Sequence, residues 1–312
     1  MVNERLYWWL ESNTLLNPHQ AGFRARHRTD DQLFRLTQKV IDGFHKEEST
    51  TAIFVDLQEA YDRVWRKGLL HKMLEVGIHG KIYKWIKNFL TDRNIQTKIN
   101  NATSSKETLE EGLPQGSSLS CTLFLIFVND LPDQLKYEKA LYADDLVLWH
   151  THKNVGVSTF LLNRELNRIK EYCDTWKLKI NNKKTVYSIF SKSHQTAKKN
   201  LNLNLGGNLI LKEENPVYLG VKLDRQMTLK GHMEHLGIKS TRRLKILKRL
   251  ASTQWGADKK TLRQLYLGYV RSVLESNLPL QVLASDTSQA NLTKSKVDAD
   301  IIPLSLRSDK AF

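Results

Sequence analysis

Apolar residues recur at two periods along the chain, and the switches between them mark its elements. Over residues 4–16, Leu6, Trp9, Leu10 and Leu15 fall at helical spacing ahead of a turn at Pro18. Asp30 or Asp31 caps a second helix with the apolar face Leu33, Leu36, Val40, Ile41 and Phe44. Residues 50–57 are rich in β-branched side chains and predict a buried strand that ends at Asp56. Helical spacing returns in Ala60, Val64, Leu69, Met73 and Val76, then in Ile82, Trp85, Ile86, Phe89 and Leu90, with Gly77 and Gly80 making the turn between. Residues 95–99 predict a short strand and Asn100-Asn101 a hairpin tip.

After the stretch Gly112-Leu-Pro-Gln-Gly116, Leu119, Leu123, Phe124, Phe127 and Leu131 predict a buried helix over 118–131. Residues 140–149 are two short apolar runs broken by Asp144-Asp145, the pattern of a hairpin with carboxylates at its tip. A helix is predicted over 160–176, and strands over 186–190 and 217–223. From 229 to 273 the pattern is helical and basic. Beyond 275 periodicity fades, which predicts an irregular or disordered tail over 276–312. No internal repeat is evident.

The chain has 312 residues, 40% of them apolar, so two or three linked subdomains are expected around more than one core. Mean hydropathy is −0.46, and the longest apolar run, 121–128, falls far short of the ~20 residues that cross a bilayer. The first residues lack the apolar core of a secretory signal, so no membrane and a cytosolic start are expected. Cys121 and Cys173 have no Cys or His at ligand spacing, which speaks against a disulfide framework or a zinc site.

Charge divides the chain. Residues 1–150 carry 19 Lys/Arg against 20 Asp/Glu, whereas 151–312 carry 29 against 13. A first half with a carboxylate site that needs cations, and a second half that holds a polyanion, follow as the expectation. A merely well-solvated surface is the bland alternative.

The acids place the chemistry. A strand ending in Asp56 beside a hairpin tip bearing Asp144 and Asp145 would supply hard oxygen ligands to divalent ions, as two-metal phosphoryl transfer requires. An aspartate at one turn is ordinary turn chemistry. Two adjacent acids on an apolar hairpin carry a repulsion that a bound cation would remove.

Tyr142-Ala-Asp-Asp145 resembles the tetrapeptide of reverse transcriptases, and follows Phe54-Val-Asp-Leu-Gln-Glu-Ala-Tyr-Asp62 and Leu113-Pro-Gln-Gly-Ser117 in the order of that family. Gln20-Ala-Gly-Phe-Arg24 with Arg28-Thr29, Leu178-Lys-Ile-Asn-Asn-Lys-Lys-Thr185, and Tyr218-Leu-Gly-Val-Lys-Leu-Asp224 with His232 extend the resemblance over most of the chain, closest to jockey-like non-LTR retrotransposons.

The resemblance implies an α+β right-hand polymerase of fingers, palm and helical thumb, the palm an antiparallel sheet packed on helices. Its fingers would begin in 1–50. The palm with inserted fingers elements would occupy 51–224, its core being 51–62, 112–150 and 178–224, and the thumb 225–275. The implied activity is RNA-directed DNA polymerisation with two Mg²⁺ ions, Mn²⁺ being a possible substitute, on an RNA template, a DNA primer and deoxynucleotide triphosphates. Asp56 and Asp144 would hold the metals, with Asp145 supporting them and the Leu57 backbone carbonyl as a further ligand. Tyr61 would lie under the incoming sugar and repel a 2′-hydroxyl; its ordinary reading is a core aromatic. Gln115 and Gly116 would contact nucleotide and template. Lys184 would meet the leaving pyrophosphate, and Arg24 or Arg28 the triphosphate or template. Tyr218, Leu219 and Gly220 would grip the primer, and Lys239, Arg242 and Arg243 would follow the hybrid backbone.

Three departures stand out. Cys121 replaces the family's usual proline, Glu59 a basic residue, and after Ser272 the pattern is lost. No segment before Leu6 matches the family's endonuclease, so a separate endonuclease and a nuclear site of action are expected. The rival expectations are a decayed or co-opted fragment that binds nucleic acid without catalysis, an RNA-templated RNA polymerase, and a group II intron maturase.

Overall fold

Seven consecutive residues with no exposed face make β1 (Ser49–Val55) the kind of strand that must sit inside a sheet covered on both sides. The computed structural model describes residues 1–251 and 256–281 and divides into two units. The first unit comprises residues 1–189 and 194–213, and the second 190–193 and 214 onwards. The tail expected over 276–312 lies outside the described residues from 282 onwards.

In the first unit α1 (Val2–Ser12) and α2 (Thr29–His45) precede β1. Next come α3 (Arg66–Glu75) and α4 (Gly80–Leu90). Four two-residue strands follow: β2 (Asn94–Ile95), β3 (Lys98–Ile99), β4 (Ala102–Thr103) and β5 (Glu107–Thr108). After α5 (Ser118–Val128), β6 (Glu138–Tyr142) and β7 (Asp145–His152) form a hairpin. The remaining elements are α6 (Val155–Thr175), β8 (Val186–Phe190), α7 (His194–Lys198), β9 (Asn204–Leu205), β10 (Asn208–Leu209) and β11 (Leu211–Lys212).

The main sheet has the order β11-β8-β1-β7-β6. Its centre is antiparallel, with Val55 opposite Leu146 and Ile53 opposite Leu148. At one edge β11 joins β8 in parallel. Because side chains alternate across a strand, Ile53, Val55, Leu141, Leu146 and Leu148 share one face and enter the main core with α1, α3, α5 and α6. Ala52, Phe54, Val147 and Trp149 share the other, on which α2 packs. There Gly43 of α2 comes so close that a Cβ would stand 2.8 Å from the Thr151 methyl.

The outer edge of β6 is not left bare. Residues 19–21 bridge it in parallel through Ala21 N–H to Leu141 O and Leu141 N–H to His19 O, both 2.9 Å. Such pairing closes an otherwise sticky edge and draws the loop from α1 to α2 to the hairpin tip.

In the second unit β12 (Val217–Tyr218) and β13 (Val221–Lys222) are a hairpin, where the sequence pattern predicts one strand over 217–223. The turn is Leu219-Gly220, with φ of 47° and 82°. Two left-handed residues make the tight turn that suits strand twist; the apolar pattern alone misses it because a leucine stands in the turn, whereas the family resemblance puts the primer-grip hairpin at Tyr218-Leu-Gly220. The helices α8 (Lys230–Leu250) and α9 (Lys259–Leu265) follow, then a π-helical turn over Tyr266–Arg271. Asp224 organises the approach to α8: its carboxylate accepts from the N–H groups of Gln226, Thr228 and Leu229.

Candidate active site

The register of the sheet decides where the acids meet. Val55 pairs with Leu146 and Tyr142 with Asp145, so one further step sets Asp56 beside Asp145 on the face of Phe54 and Val147. Asp144 occupies the two-residue turn between β6 and β7. The three carboxylates feel one another. Asp144 is held above the usual carboxylate range by burial and by the charge of Asp56. Asp145 is pushed up to about 6 by crowding protein atoms and by the charges of Asp144 and Asp56.

The backbone at Asp56 is fixed from the opposite side. Asp56 N–H donates to Thr185 Oγ1 at 3.2 Å, Asn181 N–H to Asp56 O at 2.8 Å, and Gln58 N–H to Lys179 O at 2.8 Å. Backbone direction alternates along an extended strand, so the Leu57 carbonyl points away from 179–181, toward the side of β7. The same 181–185 turn carries Lys184, exposed, its N–H donating to Asn181 O at 3.2 Å.

The hairpin tip is held by residues far away in sequence. Ala143 takes φ of 56°, a left-handed conformation uncommon for a residue with a Cβ. Gln20, 123 residues away, clamps it: Gln20 Oε1 accepts from Ala143 N–H at 2.8 Å, and Gln20 Nε2 donates to Ala143 O at 3.1 Å. The same Oε1 accepts from Gly22 N–H at 2.8 Å. Gly22 packs directly on the turn, where an added Cβ would lie 2.2 Å from Ala143 N. Gln32 reinforces the region by donating to His19 O at 2.8 Å and Leu141 O at 3.0 Å. Gln20 stands in a block of the family resemblance, but no single-sequence pattern assigns it this partner.

Tyr61 stacks on Phe124 at 4.5 Å and meets Phe23 edge-on at 6.1 Å. Its hydroxyl is buried without a hydrogen bond of good geometry, against the Cys121 thiol and within reach of the Asp144 charge. Burial, then those neighbours, raises its pKa far above that of a free phenol. The 112–116 loop docks on the same turn, with Leu113 N–H to Tyr61 O and Gly112 N–H to Val64 O, both 2.9 Å. Gln115 donates to the two oxygens of Asp62 at 2.9 and 3.0 Å, and Gly116 has φ of 82°. Asp62 is a partner that sequence reading did not assign.

Arg24, expected at a triphosphate, is engaged elsewhere. It forms a two-pronged pair with Glu11 at 2.9 and 2.8 Å and donates to Asn17 O and Gln20 O. Four of its donor contacts are thus spent on shaping the loop that carries Gln20. Arg28 is exposed beside the start of α2, with its backbone N–H capped by Asp31 at 2.7 Å.

In the second unit Tyr218 is buried at the base of the Leu219-Gly220 turn. Lys239 and Arg242 are exposed on α8. Arg243 instead lies over the Tyr269 ring at 4.5 Å and donates to Tyr269 O. His232 is buried: its Nδ1 accepts a long bond from Lys222 N–H at 3.4 Å, and its Nε2 has no partner.

Among the described residues no three His, Cys, Asp or Glu side chains close around a point as a finished metal cage. Carboxylates on two adjoining strand ends fit the alternative, a cation held by one or two acids with substrate phosphates and water completing its shell. Also among the described residues, no helix is long and apolar enough to cross a membrane.

Residues 1–223 match the reverse transcriptase (RNA-dependent DNA polymerase) family. The chain is 30% identical over 287 residues to a probable RNA-directed DNA polymerase from transposon BS of Drosophila melanogaster, covering 88% of this chain and 30% of that protein. It is likewise 30% identical over 244 residues to the RNA-directed DNA polymerase from mobile element jockey of the same fly, covering 76% and 26%. It therefore spans less than a third of the length of these relatives. Among solved structures, telomerase from Candida tropicalis in complex with a TWJ fragment of telomeric RNA superposes with a TM-score of 0.50 at 13% identity, covering 94% of this chain and 47% of that one. That likeness is one of fold, the right-hand polymerase.

Proposed function

Because the chain belongs to the reverse transcriptase family, we propose that it is the polymerase segment of a non-LTR retrotransposon protein and copies RNA into DNA. The observation that carries the reading is the meeting of Asp56 with Asp144 and Asp145, held in place by the sheet register on one side and the Gln20 clamp on the other.

In this reading Asp56 and Asp144 hold divalent ions, with Mg²⁺ preferred, while Asp145 and the Leu57 carbonyl complete the protein's share of ligands. Two such ions supply charge neutralisation on the phosphates and a more acidic primer 3′-hydroxyl. The protein supplies the position. Tyr61, wedged between Phe124 and Phe23, presents a fixed ring to the incoming sugar and selects against a 2′-hydroxyl by contact repulsion. Gln115 and Gly116 line the nucleotide and template side, the glycine allowing close backbone approach. Lys184, on the turn hydrogen-bonded to Asp56, neutralises the leaving pyrophosphate. Arg24 acts as a brace for the Gln20 loop rather than as a triphosphate ligand.

By the same reading residues 1–50 begin the fingers, 51–224 contain the palm and 225–275 the thumb. Tyr218, Leu219 and Gly220 steady the primer. Lys239 and Arg242 face the phosphates of an RNA–DNA hybrid, whose A-form groove offers little sequence to read. Arg243 holds α8 to Tyr269. An endonuclease activity would provide the nick from which a DNA primer starts, placing the work in the nucleus.

Extension of a DNA primer on an RNA template with deoxynucleotides and Mg²⁺ tests the reading. Template-dependent products are expected. No extension on RNA or DNA by a folded chain that still binds the hybrid would replace it with that of a nucleic-acid-binding remnant.

A further inference from the structure

Residues 80–106 carry six Lys/Arg and one Asp/Glu, whereas the rest of the first 150 residues carries 13 against 19. The local excess is concentrated on α4 and the small strands after it. Ile86 and Leu90 bury the inner side of α4, leaving Lys81, Lys84, Lys87 and Asn88 in solvent. Trp85 lies at the edge of this basic face, 46% exposed. Its ring stacks on Phe89 at 5.7 Å and 5°, and the Arg93 guanidinium caps Phe89 at 5.5 Å. The three groups form a short ladder of flat surfaces with an open rung at Trp85.

The ladder is firmly mounted. Arg66, buried beneath it, donates to the carbonyls of Leu90, Leu109, Glu111 and Gly112, closing both ends of the 91–111 excursion onto α3. None of Lys81, Lys84, Lys87, Arg93, Lys98 or Lys106 has a carboxylate partner among the described residues.

We propose that α4 with Arg93 and Lys98 is a binding surface for single-stranded nucleic acid, an unpaired base stacking on Trp85 and the lysines following its phosphates. Protein interfaces are poor in lysine, so the charge favours a polyanion. A duplex keeps its base faces closed, so the open ring favours a single strand.

The test is anisotropy of labelled twelve-nucleotide oligo(U) and oligo(dT), read in EDTA without nucleotides, so that a chain without polymerase activity reports it equally well. Trp85→Ala should weaken binding by about fivefold to a hundredfold, the range found for base-stacking aromatics, and Trp85→Phe should restore most of it. Replacing Lys81, Lys84 and Lys87 together by alanine should lower the slope of log affinity against log salt by about 2. A 5-iodouracil-substituted oligomer should crosslink within residues 82–93 on irradiation. Preference for oligo(U) would identify RNA as the occupant, and equal affinity a surface that accepts either strand. Unchanged affinity in Trp85→Ala with crosslinks only elsewhere overturns the proposal. So does self-association of the chain that Trp85→Ala abolishes while oligomer binding is unaffected, since the patch would then join two copies.

Discussion

Gln20 holds Ala143 at both ends of one residue, accepting from its N–H at 2.8 Å and donating to its carbonyl at 3.1 Å. The side-chain amide thus does for the left-handed turn what a neighbouring strand does elsewhere, and Asp144 is aimed by a residue from the loop before α2. Gln20→Ala leaves three buried backbone groups unpaired, Ala143 N–H, Ala143 O and Gly22 N–H, each worth about 1–3 kcal/mol. The melting temperature should fall. Single-nucleotide turnover should fall more, by about 100-fold if the tip moves by an ångström, with the deoxynucleotide KM little changed.

Gly22→Ala attacks the same turn from another direction. Its methyl would stand 2.2 Å from Ala143 N, and both partners are backbone, so the turn has to move. Activity should be lost even though alanine restricts the unfolded chain more than glycine does. A fully active Gly22→Ala protein would show that the turn has slack.

At Tyr61 ring and hydroxyl can be separated. Tyr61→Phe removes a buried hydroxyl that has no good partner, so stability should hold or rise and discrimination against ribonucleotides should persist. Tyr61→Ala removes the ring. The ratio of deoxynucleotide to ribonucleotide incorporation should then fall by about tenfold or more.

His232 makes the second unit sensitive to acid. Burial, and then the charge of His235, pushes its pKa down to about 4, below the ~6.5 of an unfolded histidine. The unfolded chain therefore binds the extra proton first. This contribution to stability is complete above about pH 6.5 and is lost as pH falls toward 4, amounting to about 2–3 kcal/mol. His232→Asn, which retains an acceptor for Lys222 N–H, should flatten that part of the pH dependence in thermal unfolding.

The basic residues of α8 divide by what they touch. Lys239→Ala and Arg242→Ala should each reduce the salt dependence of hybrid binding by roughly 1 and leave the melting temperature unchanged. Arg243→Ala should lower the melting temperature, because Arg243 packs on Tyr269.

The sequence exposed those features that are local. Strand 186–190, the break at Asn100-Asn101 and the acidic hairpin tip follow from alternation and turn residues, and all three stand in the structure where the pattern puts them. The helix expected from 160 begins at Val155 because Asn154 caps it by accepting from Gly156 N–H, a capping signal that apolar periodicity does not register. Residues 217–223 turn at a leucine, which local propensity assigns to a strand. The bond from Gln20 to Ala143, the pairing of Arg24 with Glu11 and the grip of Gln115 on Asp62 are side-chain choices made by tertiary packing, and periodicity carries no trace of them.

The central claim, that Asp56, Asp144 and Asp145 form the catalytic cation site of a reverse transcriptase, is tested most directly by single-turnover addition of one deoxynucleotide to a DNA primer on an RNA template. Wild-type chain and Asp144→Asn are compared with hybrid binding measured in the same samples. The expected result is equal binding, divalent-dependent addition by the wild-type chain, and a rate at least about 1,000-fold lower in the variant, a loss of roughly 4 kcal/mol of transition-state stabilisation. Equal rates for the two proteins would contradict the assignment.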